Sequence, residues 1–126
     1  MQNFRWLSLL FLLIIFLLIG CGKSLPEISG FDSDAFKNDR NGCKGDRVSA
    51  ETLLVQEKEK LMALSEMQIV KILGRPDQNE LYKRNQKFYT YFIHPGPSCT
   101  SDSPKISKKL IVRFNAMGLA KEITVE

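Results

Sequence analysis

With 126 residues, a formal charge of +4 and 44% hydrophobic residues, the chain has room for one modest core, and a second domain is not expected. The excess of cations is small and scattered. No run of five or six basic residues occurs, which argues against nucleic acid as a partner.

From Arg5 the chain runs through WLSLLFLLIIFLLI to Gly20 and Cys21. One cation, an apolar run of about 14 residues and a small residue have the form of a secretory signal peptide. The alternative, a spanning helix, wants about 20 apolar residues, and Cys-Gly-Lys-Ser follows too soon. Leu18-Ile19-Gly20-Cys21 resembles the lipobox of bacterial lipoprotein precursors, in which the thiol is joined to diacylglycerol and the chain is cut before the cysteine. The resemblance implies a signal peptide over 1–20, lipidation of Cys21, and a membrane partner held through acyl chains.

With Cys21 assigned to lipid, Cys43 and Cys99 remain, and two such cysteines in an exported chain most often pair. A metal site using both with His94 is the alternative, but no fourth ligand stands at a familiar spacing. The expectation is therefore a disulfide, with no metal and no cofactor.

Residues 22–44 are polar and punctuated by Pro26, Gly30, Asn38, Asn41 and Gly42, with isolated Leu25, Ile28, Phe31 and Phe36. No period survives, so 21–46 reads as a lipidated tether, its distal half able to dock around Phe31 and Phe36. The domain is expected over 47–126.

Ser49 offers an N-cap for an amphipathic helix over Ala50 to Leu64, with Leu53, Leu54, Leu61 and Leu64 on one face. Ser65 and Gln68 have the form of a capping box, opening a second helix whose inward stripe would be Met67, Val70 and Leu73. Gly74 and Pro76 stop it. Beyond Asp77 the period becomes two. Strands are expected near Glu80 to Arg84, Lys87 to His94, Lys108 to Asn115 and Leu119 to Val125, with a left-handed Gly118 in the last turn. The resulting fold class is α+β: two N-terminal helices packed on an antiparallel meander of three to four strands.

The strand from Lys87 is apolar on both faces, with Phe88 and Phe92 on one and Tyr89, Tyr91 and Ile93 on the other. One set must face away from the core. It forms either a contact patch, for which Tyr89, Tyr91 and Arg113 are the candidate partner-binding residues, or a surface covered by the segment around Phe31 and Phe36.

Ser65 to Asp77, with its spacing Ser-x-x-Gln-Ile and Leu-Gly-x-Pro, resembles the opening of the SmpA/OmlA domain. Phe88 to Phe92, then Leu110 to Phe114 with Gly118 four residues on, fall in that family's order. The resemblance covers about Leu61 to Glu126. It implies a small outer-membrane lipoprotein facing the periplasm, non-catalytic, with envelope proteins as partners and no small-molecule substrate. The cysteine pair and the loop through Pro97 depart from the pattern. Enzymatic chemistry is the less favoured class, since His94, the one histidine, has no motif-placed nucleophile. The alternative function is a periplasmic enzyme-inhibitor-like binding protein.

Overall fold

The computed structural model describes residues 2–17, 24–100 and 107–126. Cys21 and the cleavage site lie outside the described residues, as does the distal part of the loop after His94. The architecture is α+β, with helices preceding a four-stranded antiparallel sheet of order β1-β2-β3-β4.

Helix α1, Gln2–Leu17, carries most of the apolar run. Among the described residues no helix is long and apolar enough to cross a membrane. Three further α-helices precede the sheet: α2 Ser33–Asn38, α3 Glu51–Gln56 and α4 Glu66–Leu73. The strands are β1 Gln78–Tyr82, β2 Gln86–Phe92, β3 Lys109–Phe114 and β4 Ala120–Val125.

The segment read as a tether differs from Ile28 onward. Asp32 caps α2 by accepting from the Ala35 amide at 2.9 Å, and Ser33 Oγ donates to Ile72 O at 2.7 Å. Ile28 and Phe36 join the core, with Phe31 against them. A six-residue helix is too short to display a period, so its composition resembled a linker.

The expected helix over Ala50 to Leu64 is shorter. It leaves α geometry at Glu57 and continues as a 3₁₀ turn, Lys58–Leu61. One turn beyond Leu54 the stripe meets Glu57 and Lys58 in place of apolar residues, Leu61 is buried from the 3₁₀ turn instead, and a short helix is marginal without tertiary packing. Ser49 does not cap it; its hydroxyl donates back to Asp46 O. Ala63 then takes φ +60, reversing the chain so that residues 63–65 run beside the start of β4.

Helix α4 carries the capping box in both directions: the Gln68 amide donates to Ser65 Oγ and the Ser65 amide to Gln68 Oε1. Its inward face is Ile69, Ile72 and Leu73, whereas Met67 is 71% exposed. Gly74 ends the helix at φ +83, where a Cβ would press on the Lys37 side chain at 2.8 Å.

The sheet register places Tyr89 opposite Val112, Tyr91 opposite Leu110, and Val112 opposite Ile123. These residues, with Phe114 and Ile93, make the sheet side of the core beneath the helices. The other face carries Tyr82, Phe88, Ile111 and Arg113, opposite in register to Gln86, Arg113, Thr90 and Glu122.

Cys43 and Cys99 are joined, with Cα atoms 5.4 Å apart and a sequence separation of 56. Gly42 lies so close beneath β2 that a Cβ there would meet His94 O at 2.7 Å and Phe92 O at 2.9 Å. The Gly96 amide donates to Asn41 O at 2.8 Å. Cross-linking a loop of this length stabilises a fold by about 4 kcal/mol in the chain-entropy account. A Cys43→Ser/Cys99→Ser variant should therefore unfold cooperatively at a much lower urea midpoint than the oxidised parent. An unchanged midpoint would refute that contribution.

Candidate functional site

A cluster of charge lies inside the domain where hydropathy places none. Arg47 and Asp39 are fully buried, and so is the Asp77 side chain. Arg47 Nη1 contacts Asp77 Oδ2 at 2.5 Å and donates to Phe92 O at 3.0 Å, while its Nε donates to Phe36 O at 2.9 Å. The guanidinium stacks over the Phe36 ring at 4.6 Å and lies 5.9 Å from that of Tyr91. Asp39 accepts from the Lys44 and Arg47 amides, and Asp77 from those of Asn41 and Phe92. The bonds of Arg47 to Asp77 and Phe92 and of Asp77 to Asn41 tie the segment 36–47 to the β1 and β2 ends, and those of Asp39, with that of Arg47 to Phe36, hold the segment itself together. This is a structural clasp, with the Arg47 and Asp77 side chains closed off from solvent.

A second group joins Glu51 of α3 to the two stems of the long loop. Glu51 Oε2 lies 3.0 Å from His94 Nε2, and Glu51 Oε1 lies 2.6 Å from Lys108 Nζ. The bond from Lys108, followed by that from His94, holds the Glu51 carboxyl below its ordinary value of 4.5. Nucleophilic catalysis would need a hydroxyl on the imidazole. Ser107 instead turns its Oγ to the backbone carbonyls of His94 and Pro95, at 2.7 and 2.8 Å. The group thus pins the loop stems to the helix layer. Cys43 and Cys99, which with His94 formed the alternative metal set, spend their sulfurs on each other.

The residues expected to form one contact patch do not lie together. Tyr89 and Tyr91 are 8% and 0% exposed, on the helix side of the sheet. The Tyr89 ring meets Phe114 edge-on at 4.7 Å, and its hydroxyl donates to Glu66 Oε2 at 2.8 Å. Burial, then the bond to Glu66, pushes the Tyr89 hydroxyl up to about 12. Tyr91 packs on Phe36 at 6.1 Å and donates to Gly74 O at 2.9 Å; burial raises its hydroxyl as well. Arg113 lies on the opposite face, paired with Glu122 at 2.7 Å. The proposed tyrosine patch is therefore corrected. Helices α2 and α4 both pack over the tyrosine side, leaving Phe88 and Ile111 half-buried on the open one.

What the structure does expose is one end of the sheet. The β1–β2 turn at 83–85 and the β3–β4 turn at 115–118 project together, because Lys87 pairs with Phe114 and Tyr82 with Gln86. The start of α4 joins them, through the bond from the Glu66 amide to Gly118 O. Met117, Met67, Leu81 and Tyr82, at 82%, 71%, 71% and 58% exposed, are all at this end, with Leu81 and Tyr82 on opposite faces of β1. Lys83 and Arg84 sit at its tip, with Arg84 and Asn85 both left-handed. Periodicity could not find this group, since two of its members stand in turns or helix starts.

No family model, no curated protein and no solved structure matches the chain.

Proposed function

We propose that the chain is a lipid-anchored, non-catalytic interaction module of the bacterial cell envelope, supporting outer-membrane assembly or integrity. The observation that carries this reading is the apolar run closing on Leu-Ile-Gly-Cys ahead of a small disulfide-closed domain. A capped helix stopping at Gly74-Arg75-Pro76, followed by a meander, supports assignment to the SmpA/OmlA-like domains, with the helical layer on one face of the sheet. The exposed end with Met67, Leu81, Tyr82 and Met117 suits contact with another protein, since methionine adapts to irregular surfaces and tyrosine offers area with a polar tip. Because Ile28 is already packed, a lipidated Cys21 would sit within a reach of roughly 25 Å of the domain. On this reading the domain works close to the bilayer.

Mass spectrometry of membrane-extracted protein tests it. The expected N-terminal peptide begins at acylated Cys21, and a Cys21→Ser variant should keep its leader. An intact leader on native protein would overturn the anchor. Crosslinking in intact cells then identifies partners: recovery of barrel-assembly or other envelope proteins is the expected result, and recovery of a single periplasmic hydrolase would replace it with inhibition.

A further inference from the structure

The free edge of β4 lies beside helix α3, and the two enclose a groove. Lys109 and Glu126 exchange reciprocal backbone bonds, Lys109 N–H to Glu126 O at 2.8 Å and Glu126 N–H to Lys109 O at 3.1 Å. Successive residues of a strand direct their N–H and C=O groups to opposite sides. Thr124 and Glu122 therefore bond inward to Ile111 and Arg113, their register partners. Ile123 and Val125 direct theirs outward, and among the described residues nothing accepts from or donates to them.

Upstream, the same edge is already taken by the chain itself. The Ala63 amide donates to Ala120 O and the Ala120 amide to Leu64 O, both at 2.8 Å, and Ser65 bridges Leu119. Residues 63–65 thus run alongside β4 at its beginning, joined to it by an isolated antiparallel bridge. Downstream no described residue pairs with the edge, which runs along a cavity of about 250 Å³ walled by Leu54, Val55 and Lys58 and floored by Ile123, Thr124 and Val125.

We propose that this groove binds an extended segment of a partner protein, which pairs with the outward groups of Ile123 and Val125. One apolar side chain of that segment fills the space against Leu54 and Val55. An acidic group faces Lys58. Three observations select this occupant. Unpaired main-chain groups on an edge beside an apolar groove accept a strand, with the ladder giving affinity and the pocket giving specificity. The main-chain bonds from residues 63–65 to Ala120 and Leu119 supply the precedent of chain pairing on this same edge. Lys58 has no carboxylate partner among the described residues, so an acid complements it. A second copy of the chain is disfavoured, because pairing Ile123 with its partner's Val125 would set Glu122 opposite Glu126, like charges across the ladder. The inference rests on the interaction-module reading but not on the lipid anchor.

The test is selection of a phage-displayed library of randomised dodecapeptides against the full chain in detergent micelles. Enriched peptides should share apolar residues alternating with polar ones and an acid at a constant offset. Their affinity, read by fluorescence anisotropy, should fall about tenfold or more in Val55→Arg and in Lys58→Glu. Both positions are exposed, so circular dichroism should match the parent. Binding should also slow hydrogen exchange at the Ile123 and Val125 amides. Failure to enrich, or enriched peptides indifferent to both substitutions, would overturn the proposal. So would a dimer in which those two amides are already protected. Neither result bears on acylation of Cys21, which the mass measurement decides separately.

Discussion

Replacing Asp77 with alanine should abolish or nearly abolish folding at room temperature, whereas replacing its partner Arg47 with methionine should not. Both side chains are fully buried, so removing either breaks a desolvated pair. The two losses differ in what they leave behind. Without Asp77, the Arg47 guanidinium stays in the interior with only backbone carbonyls as acceptors, and the amides of Asn41 and Phe92 lose theirs. A stranded buried charge costs about 3–5 kcal/mol and each unsatisfied amide about 1–3 kcal/mol more. Without Arg47, Asp77 retains those two amides and the Arg40 guanidinium at 3.4 Å, and the expected cost is about 1–3 kcal/mol. Urea unfolding of Asp77→Ala, Arg47→Met and the double variant measures this directly. The double variant should be more stable than Asp77→Ala alone. Equal costs for the two single variants would refute the asymmetry.

The second large effect concerns the tyrosines of β2. Changing Tyr89 and Tyr91 together to serine should leave no cooperative unfolding transition. Each ring removed from a packed core costs about 3–5 kcal/mol, and a domain has only about 5–15 kcal/mol in total. Tyr91→Phe isolates the hydroxyl bonded to Gly74 O and should cost about 1 kcal/mol, since the ring stays against Phe36. By contrast, Arg113→Ser on the open face removes one partly exposed ion pair and should change stability by less than about 1 kcal/mol. Near-ultraviolet circular dichroism and urea titration distinguish these outcomes. A folded double-serine variant would return the tyrosines to the surface.

These expectations differ from those of the linear chain for a definable reason. Alternation in β2 separates Tyr89, Tyr91 and Ile93 from Phe88 and Phe92, yet both sets are apolar. Period alone therefore cannot say which set faces the helices. The choice is made by α2 and α4, which lie over the tyrosine side and meet Tyr91 through Phe36 and Gly74. In α4 a similar ambiguity shifted the inward stripe from Met67 to Ile69 and Ile72, because a helix of eight residues admits two adjacent apolar faces.

Local chemistry alone determined the antiparallel meander after a helical layer, the capping box of Ser65 and Gln68, and the stop at Gly74. Each depends on residues within a few positions of one another, where hydrogen-bond reach and backbone sterics act directly. Only the tertiary structure decided that Ile28 and Phe36 belong to the core, that Asp39, Arg47 and Asp77 lie inside it, and that Met67, Leu81, Tyr82 and Met117 stand exposed at one end. It also decided which edge of β4 stays open beside Val55 and Lys58. Burial of Arg47, for one, depends on partners 30 and 45 residues away, Asp77 and Phe92. The Arg47 charge is buried because a distant carboxylate neutralises it, and no local pattern records that the partner will be there.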